Sequence, residues 1–244
     1  MKARFIRIVI VLVILGAGWI YKTKFANVPE GGQQADAPKL WQNRNQNDGG
    51  SKKPNEPVLK SDWQKSAKTA EVEKVNGYDR LIGCQLVDHR NNDGDSFHIK
   101  HAGKVLEIRL YYVDTAEKYL SDRHENQRRR VAEQAEDFGG ISIDQVLELG
   151  QEAKEFTLDL LEGKTFTVFT QWEEVYDSGR YYAFVEAPGS DGKYLSEYLV
   201  AMGLVRLHTK GVPTPDGRNY RQYRDHLNQV ERKAKAAKQG AWGL

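Results

Sequence analysis

Two neighbouring stretches in the middle of the chain alternate between apolar and polar residues. The alternation runs from Phe97 to Lys100, stops at Ala102-Gly103 and resumes from Val105 to Val113. A period of two residues is typical of half-buried strands, and a short break containing glycine between two such runs indicates a hairpin. The pattern therefore predicts two antiparallel strands joined by a tight turn.

Three further strand candidates and three helix candidates accompany this hairpin. The strand candidates are Arg80–Val87, Thr165–Thr170 and Tyr181–Ala187. The helix candidates are an apolar pattern from Leu147 to Leu161 behind a capping-box pair, Ser142 and Gln145, followed by Tyr194–Met202 and Tyr220–Lys238. Five short strands with interleaved helices favour an α+β fold built on a small closed β-barrel over an alternating parallel sheet.

The N-terminus carries an unbroken apolar run from Ile8 to Ile20, with basic residues on both sides. At about 1.5 Å per residue such a helix is short for a ~30 Å hydrocarbon core, but adjoining apolar residues extend it. Residues 1–24 are therefore interpreted as a membrane anchor. The alternatives are a signal peptide cleaved near Gly16-Ala17-Gly18 and a buried core segment. Basic residues are slightly denser on the N-terminal flank, so we expect the rest of the chain outside the cytoplasm.

Residues 25–76 have the composition of a flexible linker. They are rich in Asn, Gln, Gly, Lys and Pro, and the few apolar residues among them cannot form a core of their own. This linker would hold a folded domain away from the membrane. The folded domain is expected to cover residues 77–244.

The charge balance differs between the two parts of the chain. The formal net charge of all 244 residues is +2, yet residues 1–78 carry 13 Lys and Arg against 7 Asp and Glu, and residues 79–244 carry 23 against 27. This near-balance excludes a histone-like basic binder and an acidic disordered tail. The single cysteine, Cys84, excludes an intrachain disulfide and a cysteine-rich zinc site.

Two acidic motifs stand at the ends of the paired strands. Asp93-Gly94-Asp95-Ser96 enters the first strand, and Asp114-Thr115-Ala116-Glu117 follows the second. A hairpin brings the start of one strand beside the end of the other, so Asp95 and Asp114 are expected to converge. Two carboxylates with a nearby carbonyl suit a hard divalent cation such as Ca²⁺, whereas a lone Asp-Gly-Asp is also a common turn.

Several motifs in a fixed order resemble the staphylococcal nuclease, or thermonuclease, family. They are Asp93–Ser96, Ile108–Glu117, Gly150–Phe156, Asp177–Arg180, Leu199–Leu204 and a C-terminal segment from Tyr220 to Trp242. The resemblance covers about two-thirds of the chain. It implies a five-stranded OB-fold β-barrel with about three helices and a Ca²⁺-dependent phosphodiesterase site.

The resemblance also implies roles for individual residues. The metal ligands would be Asp95, Asp114 and the carbonyl oxygen of Thr115. Asp93 would lie near the metal in a less direct role, and Glu117 would act on the attacking water as general base or positioning group. Arg109 and Arg180 would bind the phosphate under attack, because a planar guanidinium forms two parallel hydrogen bonds and keeps its proton.

The chain departs from the family pattern at a few positions and in one insertion. Ala116 replaces a proline beside the predicted metal ligands. Ser178 stands where the family has a tyrosine before Gly-Arg, and Thr209 and Gly211 stand where nucleotide-contacting tyrosines are usual. These differences leave the pocket for the base and the terminal phosphate undefined. The insertion, at about 118–143, carries Arg128-Arg129-Arg130 within a helix predicted at 123–137. These arginines form either a clamp on the substrate or a solvent-exposed helix face.

Together these features predict a Ca²⁺-dependent nuclease that hydrolyses DNA and RNA with little sequence preference. We expect single-stranded or frayed nucleic acid as partner, no protein partner, a monomer, and an extracytoplasmic location by anchoring or secretion. The alternatives are a non-catalytic OB-fold module that binds nucleic acid at the membrane, and a structural envelope protein. A binding module has no need of two aspartates, a glutamate and two arginines in this arrangement, which favours the nuclease.

Overall fold

The computed structural model describes residues 72–121 and 125–244. Within these residues the chain forms eight strands and four α-helices, and it ends in a short 3₁₀ helix at Gly240–Gly243. The strands are β1 Glu73–Val75, β2 Tyr78–Leu86, β3 Ser96–His101, β4 Lys104–Leu110, β5 Val113–Thr115, β6 Thr165–Glu174, β7 Arg180–Glu186 and β8 Val205–Leu207. The helices are α1 Glu125–Asp137, α2 Ile143–Leu161, α3 Leu195–Ala201 and α4 Tyr220–Ala236.

The predicted N-terminal segments fall almost wholly outside this description. The anchor expected at 1–24 and the linker expected at 25–76 lie outside the described residues, except for residues 72–76. In that short stretch β1 pairs with β2, so ordered structure precedes the expected domain start at residue 77. Among the helices that the structure describes, none is long and apolar enough to cross a membrane.

Six strands form one sheet that bonds back onto itself. Their order is β1-β2-β3-β4-β7-β6, and β2 also pairs with β6. The second pairing closes a ring of five strands, β2, β3, β4, β7 and β6, which are the five that the periodicity predicts. Within the ring β4 and β7 run parallel, and the other neighbours are antiparallel. The α+β class expected from the sequence is confirmed.

The second predicted strand is interrupted before the acidic motif. The alternation from Val105 to Val113 predicts one strand, but β4 ends at Leu110 and β5 begins at Val113. Tyr112, between them, has φ +71°, in the left-handed region that bulky residues rarely adopt. Its hydroxyl donates to the carbonyl of Val212 at 2.6 Å. The turn at Tyr112 directs β5 away from the ring to pair with β8.

The helices follow the sequence signals closely, although there are four rather than about three. Helix α2 begins with the predicted capping box, in which Ser142 and Gln145 exchange side-chain and backbone hydrogen bonds. The additional helix is α1, which lies in the insertion. Its buried residues, Val131, Gln134 and Ala135, face the domain. The insertion is therefore packed onto the fold rather than looped out into solvent.

Candidate active site

The hairpin register brings the two acidic motifs together. Ser96 at the start of β3 pairs with Arg109 near the end of β4. The backbone carbonyl of Asp95 accepts a hydrogen bond from Leu110 at 2.8 Å. Because β5 starts three residues after Leu110, Asp114 lies on the same side as Asp95. This is the convergence that the sequence predicts, although Asp114 belongs to a separate short strand.

Arg109 links the two aspartates directly. One terminal nitrogen of its guanidinium donates to Asp95 Oδ1 at 2.8 Å, and the other donates to Asp114 Oδ1 at 2.5 Å. Burial would lower the pKa of Arg109, but the charges of Asp95 and Asp114 outweigh it and raise that pKa. Arg109 is therefore a permanent cation held between two predicted metal ligands.

Two further arginines reach Asp114 from other elements. Arg206 on β8 donates its Nε to Asp114 Oδ2 at 2.9 Å, and Arg130 on α1 donates to Oδ1 at 3.0 Å. Burial alone would raise the pKa of the Asp114 carboxyl, but the charges of Arg109, Arg130 and Arg206 outweigh burial and lower it. Asp114 is therefore an anion whose oxygens already accept several hydrogen bonds.

Asp95 lies in a different environment from Asp114. Its side chain is almost fully buried, and its Oδ2 accepts a hydrogen bond from the backbone N–H of Thr115 at 2.6 Å. Burial raises the pKa of Asp95, the nearby Arg109 opposes that rise, and the charges of Asp114 and Asp93 add to it. A carboxylate in this position is stabilised by an additional positive charge, which a bound cation would provide.

Two glycines fix the backbone around these carboxylates. A Cβ at Gly94 would lie 2.8 Å from the backbone of Ala153 on α2. A Cβ at Gly150 would lie 2.5 Å from the carbonyl oxygens of Ala116 and Glu117. Helix α2 therefore packs directly against both acidic motifs, and glycine is required at each point of contact.

The insertion helix contributes a buried glutamine to the same backbone. Gln134 is fully buried, and its amide nitrogen donates to Asp114 Oδ2 at 3.3 Å and to the carbonyl of Thr115 at 3.0 Å. Its amide oxygen accepts from the backbone N–H of Glu117 at 2.9 Å. One side chain thus fixes the carbonyl of Thr115, which is a predicted metal ligand, together with an aspartate and the backbone of the predicted general base.

The remaining predicted acidic residues lie at the edge of the site. Glu117 is partly exposed, and its carboxylate forms an ion pair with Arg130 at 3.2 Å. Asp93 forms an ion pair with Lys118 at 3.0 Å, and its Oδ1 accepts the N–H of Gly94. Each of these carboxylates can reach solvent, as a residue that acts on water must.

Arg180 begins β7, and its backbone is registered opposite Glu107 of β4. Its Nε donates to Ser178 Oγ at 3.1 Å, so the serine that replaces a family tyrosine holds this arginine. Arg180 lines both cavities beside Asp95 and Asp114. The two predicted phosphate-binding arginines thus lie on one rim, with Arg109 deeper.

The other two replaced tyrosine positions have different surroundings. Thr209 donates weakly to the carbonyl of Leu110, at 3.4 Å. A Cβ at Gly211 would lie within 2.6 Å of the rings of both Tyr112 and Tyr220, which stack with centroids 5.9 Å apart. A larger side chain at position 211 would displace those rings.

Two adjoining cavities meet at these residues. The smaller, of about 140 Å³, is lined by Asp93, Asp95, Thr115, Glu117 and both predicted phosphate-binding arginines, among others. The larger, of about 910 Å³, is lined by Asp114, Tyr176, Arg206 and Lys210, among others. Arg109, Arg130 and Arg180 line both cavities. A small acidic chamber therefore opens onto a larger cleft rich in arginine.

The oxygen atoms of the predicted ligands decide whether the site suits a cation. In the described residues no three His, Cys, Asp or Glu side chains lie close enough together to hold a metal ion. The predicted set needs two carboxylates and one carbonyl, and all three groups offer the hard oxygen atoms that Ca²⁺ prefers. The residues therefore fit calcium by their chemistry, with Asp114 engaged by arginines that a cation would have to displace in part.

Arg206 and Gln134 belong to no motif in the sequence, and Arg130 belongs to the Arg128-Arg129-Arg130 run, whose contacts with the acidic motifs the sequence does not predict. Arg206 lies on β8, far from the acidic motifs in sequence, and Arg130 and Gln134 lie in the insertion. The one available signal was their spacing: Arg130 and Gln134 are four residues apart, which puts them on one face of the predicted helix. What that face contacts depends on tertiary packing.

Comparison with known proteins covers the domain from β4 onward. A family model described as staphylococcal nuclease homologue matches residues 107–243. This match confirms the resemblance inferred from the ordered motifs. No curated protein matches the chain.

Proposed function

Because the chain belongs to the staphylococcal nuclease family, we propose that it is a Ca²⁺-dependent nuclease that hydrolyses phosphodiester bonds of DNA and RNA. The observation that carries this proposal is the position of Arg109. It joins Asp95 and Asp114 and also lines the arginine-rich cleft. A phosphate in that cleft could therefore contact a fixed guanidinium immediately beside the predicted metal ligands.

The residues of the chain supply most of what hydrolysis requires. A calcium ion bound by Asp95, Asp114 and the carbonyl of Thr115 would withdraw charge from a phosphate oxygen. Arg109 and Arg180 would donate to the phosphate oxygens as negative charge increases in the transition state. Glu117, partly exposed at the smaller cavity, would accept a proton from the attacking water or orient it.

A second candidate is a module that binds nucleic acid without cleaving it. The observation in its favour is that both oxygens of Asp114 accept hydrogen bonds from arginine side chains. A carboxylate so neutralised would bind a cation weakly. Such a module would still use the arginine-lined cleft for phosphate groups.

Release of acid-soluble nucleotides by the full-length protein separates the two candidates. We expect release from single-stranded DNA and RNA with Ca²⁺, and none with a chelator. Asp95→Asn and Asp114→Asn should abolish release, while Asp144→Asn on the exposed face of α2 serves as the matched control. Binding of the same strands without hydrolysis at any Ca²⁺ concentration would favour the non-catalytic module.

The finer structural and cellular assignments are part of the same proposal. The closed ring of β2, β3, β4, β7 and β6 is proposed to be the OB-fold barrel of the family. Residues 1–24 are proposed to anchor the protein, with the domain outside the cytoplasm and acting as a monomer. The apolar run and the flanking basic residues of the sequence support this assignment.

A further inference from the structure

We propose that Arg130, contributed by the insertion, is an internal cation that competes with Ca²⁺ for Asp114 and Glu117. The inference rests on the proposed function, because it concerns the regulation of the same metal site. It gives the insertion a defined task, which is to set how much calcium the site requires.

The contacts of Arg130 bridge two carboxylates with different predicted roles. One terminal nitrogen contacts Asp114 Oδ1 at 3.0 Å, and the other contacts Glu117 Oε1 at 3.2 Å. Asp114 is a predicted metal ligand, and Glu117 is the predicted base. A single guanidinium therefore bridges both carboxylates and offsets part of their negative charge from one position between them.

Of the three arginines at Asp114, Arg130 has the most room to leave. The side chains of Arg109 and Arg206 are 12% and 7% exposed, whereas that of Arg130 is 45% exposed. Arg130 also lines the larger cleft, so its side chain can rotate into open space. Arg206 and Gln134 hold the other oxygen of Asp114, so the carboxylate keeps its orientation when Arg130 departs.

The backbone of α1 can stay in place during this exchange. Val131, Gln134 and Ala135 are buried and fix the helix against the domain. Side-chain rotation of Arg130 leaves Oδ1 of Asp114 with the contact from Arg109 and makes room beside it for a cation. Since two positive charges repel at short range, Ca²⁺ bound at Asp114 would disfavour the ion pairs of Arg130, and those pairs disfavour Ca²⁺. The two cations are therefore mutually exclusive at this oxygen.

Calorimetric titration of the full-length protein with Ca²⁺, without substrate, tests the competition. Arg130→Gln removes the guanidinium, and we expect about ten-fold tighter binding, equivalent to about 1.4 kcal/mol. The matched control is Arg129→Gln, which removes the same charge from the same helix at a side chain that is 73% exposed. Its affinity for Ca²⁺ should stay close to that of the wild type.

A second variant and a second readout keep the test independent of folding and of activity. Arg130→Lys should bind Ca²⁺ with intermediate affinity, because an ammonium cannot contact both carboxylates in a planar fork. In thermal unfolding, Ca²⁺ should raise the midpoint of Arg130→Gln more than that of the wild type. The metal-free midpoints of the same proteins show whether each variant is folded.

The outcomes separate this inference from the proposed function. Unchanged or weaker Ca²⁺ binding by Arg130→Gln would overturn the inference, as would equal tightening in Arg129→Gln or the absence of Ca²⁺ binding in every variant. Tighter Ca²⁺ binding by Arg130→Gln without any hydrolysis of nucleic acid would support the inference and refute the nuclease.

Discussion

Asp114 is a buried carboxylate with three guanidinium groups within 3.0 Å. Burying an anion costs several kcal/mol unless it is paired and hydrogen-bonded. Arg109, Arg130 and Arg206 supply that pairing, and each also contacts a second carboxylate, that of Asp95, Glu117 and Asp137 respectively. The network therefore holds three guanidinium groups and four carboxylates, so a bound cation would offset the remaining negative charge but would have to share the oxygens of Asp114 with the arginines.

At this scale the first prediction concerns the two proposed phosphate-binding arginines. Arg109→Lys and Arg180→Lys should each lower the turnover number by about 10²–10³, because a preorganised donor to the developing charge is lost. The Michaelis constant should change much less, because the contact strengthens mainly in the transition state. Steady-state kinetics with a single-stranded DNA substrate measures both quantities.

The control for the arginine variants is Arg232→Lys, at an exposed position of α4. It should leave the turnover number unchanged, since Arg232 lines neither of the two cavities. Near-normal turnover in both Arg109→Lys and Arg180→Lys would mean that the chain does not bind the reacting phosphate as we propose.

The second prediction concerns Gln134. Gln134→Met keeps the volume but leaves the carbonyl of Thr115 and the N–H of Glu117 without this partner, so the free energy of unfolding should fall by about 1–3 kcal/mol. The turnover number should fall as well, because both groups belong to the site. Chemical denaturation and kinetics measure the two effects.

Gln151→Met is the control for Gln134→Met. Gln151 is exposed on α2 and donates to Glu155, so its loss should leave stability and turnover almost unchanged. Equal stability of Gln134→Met and Gln151→Met would show that the insertion helix does not support the site.

At the scale of secondary structure, the sequence predicts the elements whose stability is local. The β3–β4 hairpin and the start of α2 follow from a period of two and a capping box, which need no knowledge of distant residues. The end of β4 at Leu110 does not follow in this way. The left-handed Tyr112 that ends the strand is held by distant contacts, among them an edge-on ring contact with Tyr223 at 4.9 Å.

The same distinction applies to the candidate site. The convergence of Asp95 and Asp114 could be predicted because a hairpin determines it. The contacts of Arg206 could not, since they require β8 to pair with β5 across 90 residues of chain. The insertion helix could be predicted as a helix. The surface against which its buried face packs could not be predicted, because the sequence does not identify it.

The third prediction concerns how α2 packs against the acidic motifs. Ala is normally about 1 kcal/mol more favourable than Gly within a helix. Gly150→Ala should instead destabilise the protein by about 1–3 kcal/mol, because the added methyl would overlap the carbonyl oxygens of Ala116 and Glu117. Glu148→Ala, at an exposed position of the same helix, is the control and should have little effect. A stabilised Gly150→Ala, measured by chemical denaturation, would contradict this packing.

At the scale of the whole molecule, the basic residues of the larger cleft contrast with the net negative charge of residues 79–244. Residues 79–244 carry 27 acidic and 23 basic residues, yet five arginines line the larger cleft beside Asp114. Local positive charge in a domain of opposite net charge favours weak binding of nucleic acid that depends strongly on salt. A tether that holds the domain near its substrate would compensate for weak binding, because it raises the effective concentration.

The last prediction tests that tether. Deleting residues 1–71 removes the apolar run and most of the linker. It keeps every element that the structure describes, including β1, which pairs with β2. The shortened protein should hydrolyse single-stranded DNA as fast as the full-length protein while remaining in the soluble fraction. The full-length protein should sediment with membranes. A variant lacking residues 25–60 keeps the apolar run and should still sediment, which separates anchoring from linker length.

Mass spectrometry of the native N-terminus distinguishes an uncleaved anchor from a signal cleaved near Gly18. A full-length protein with an intact N-terminus in the soluble cytoplasmic fraction would refute both interpretations of residues 1–24.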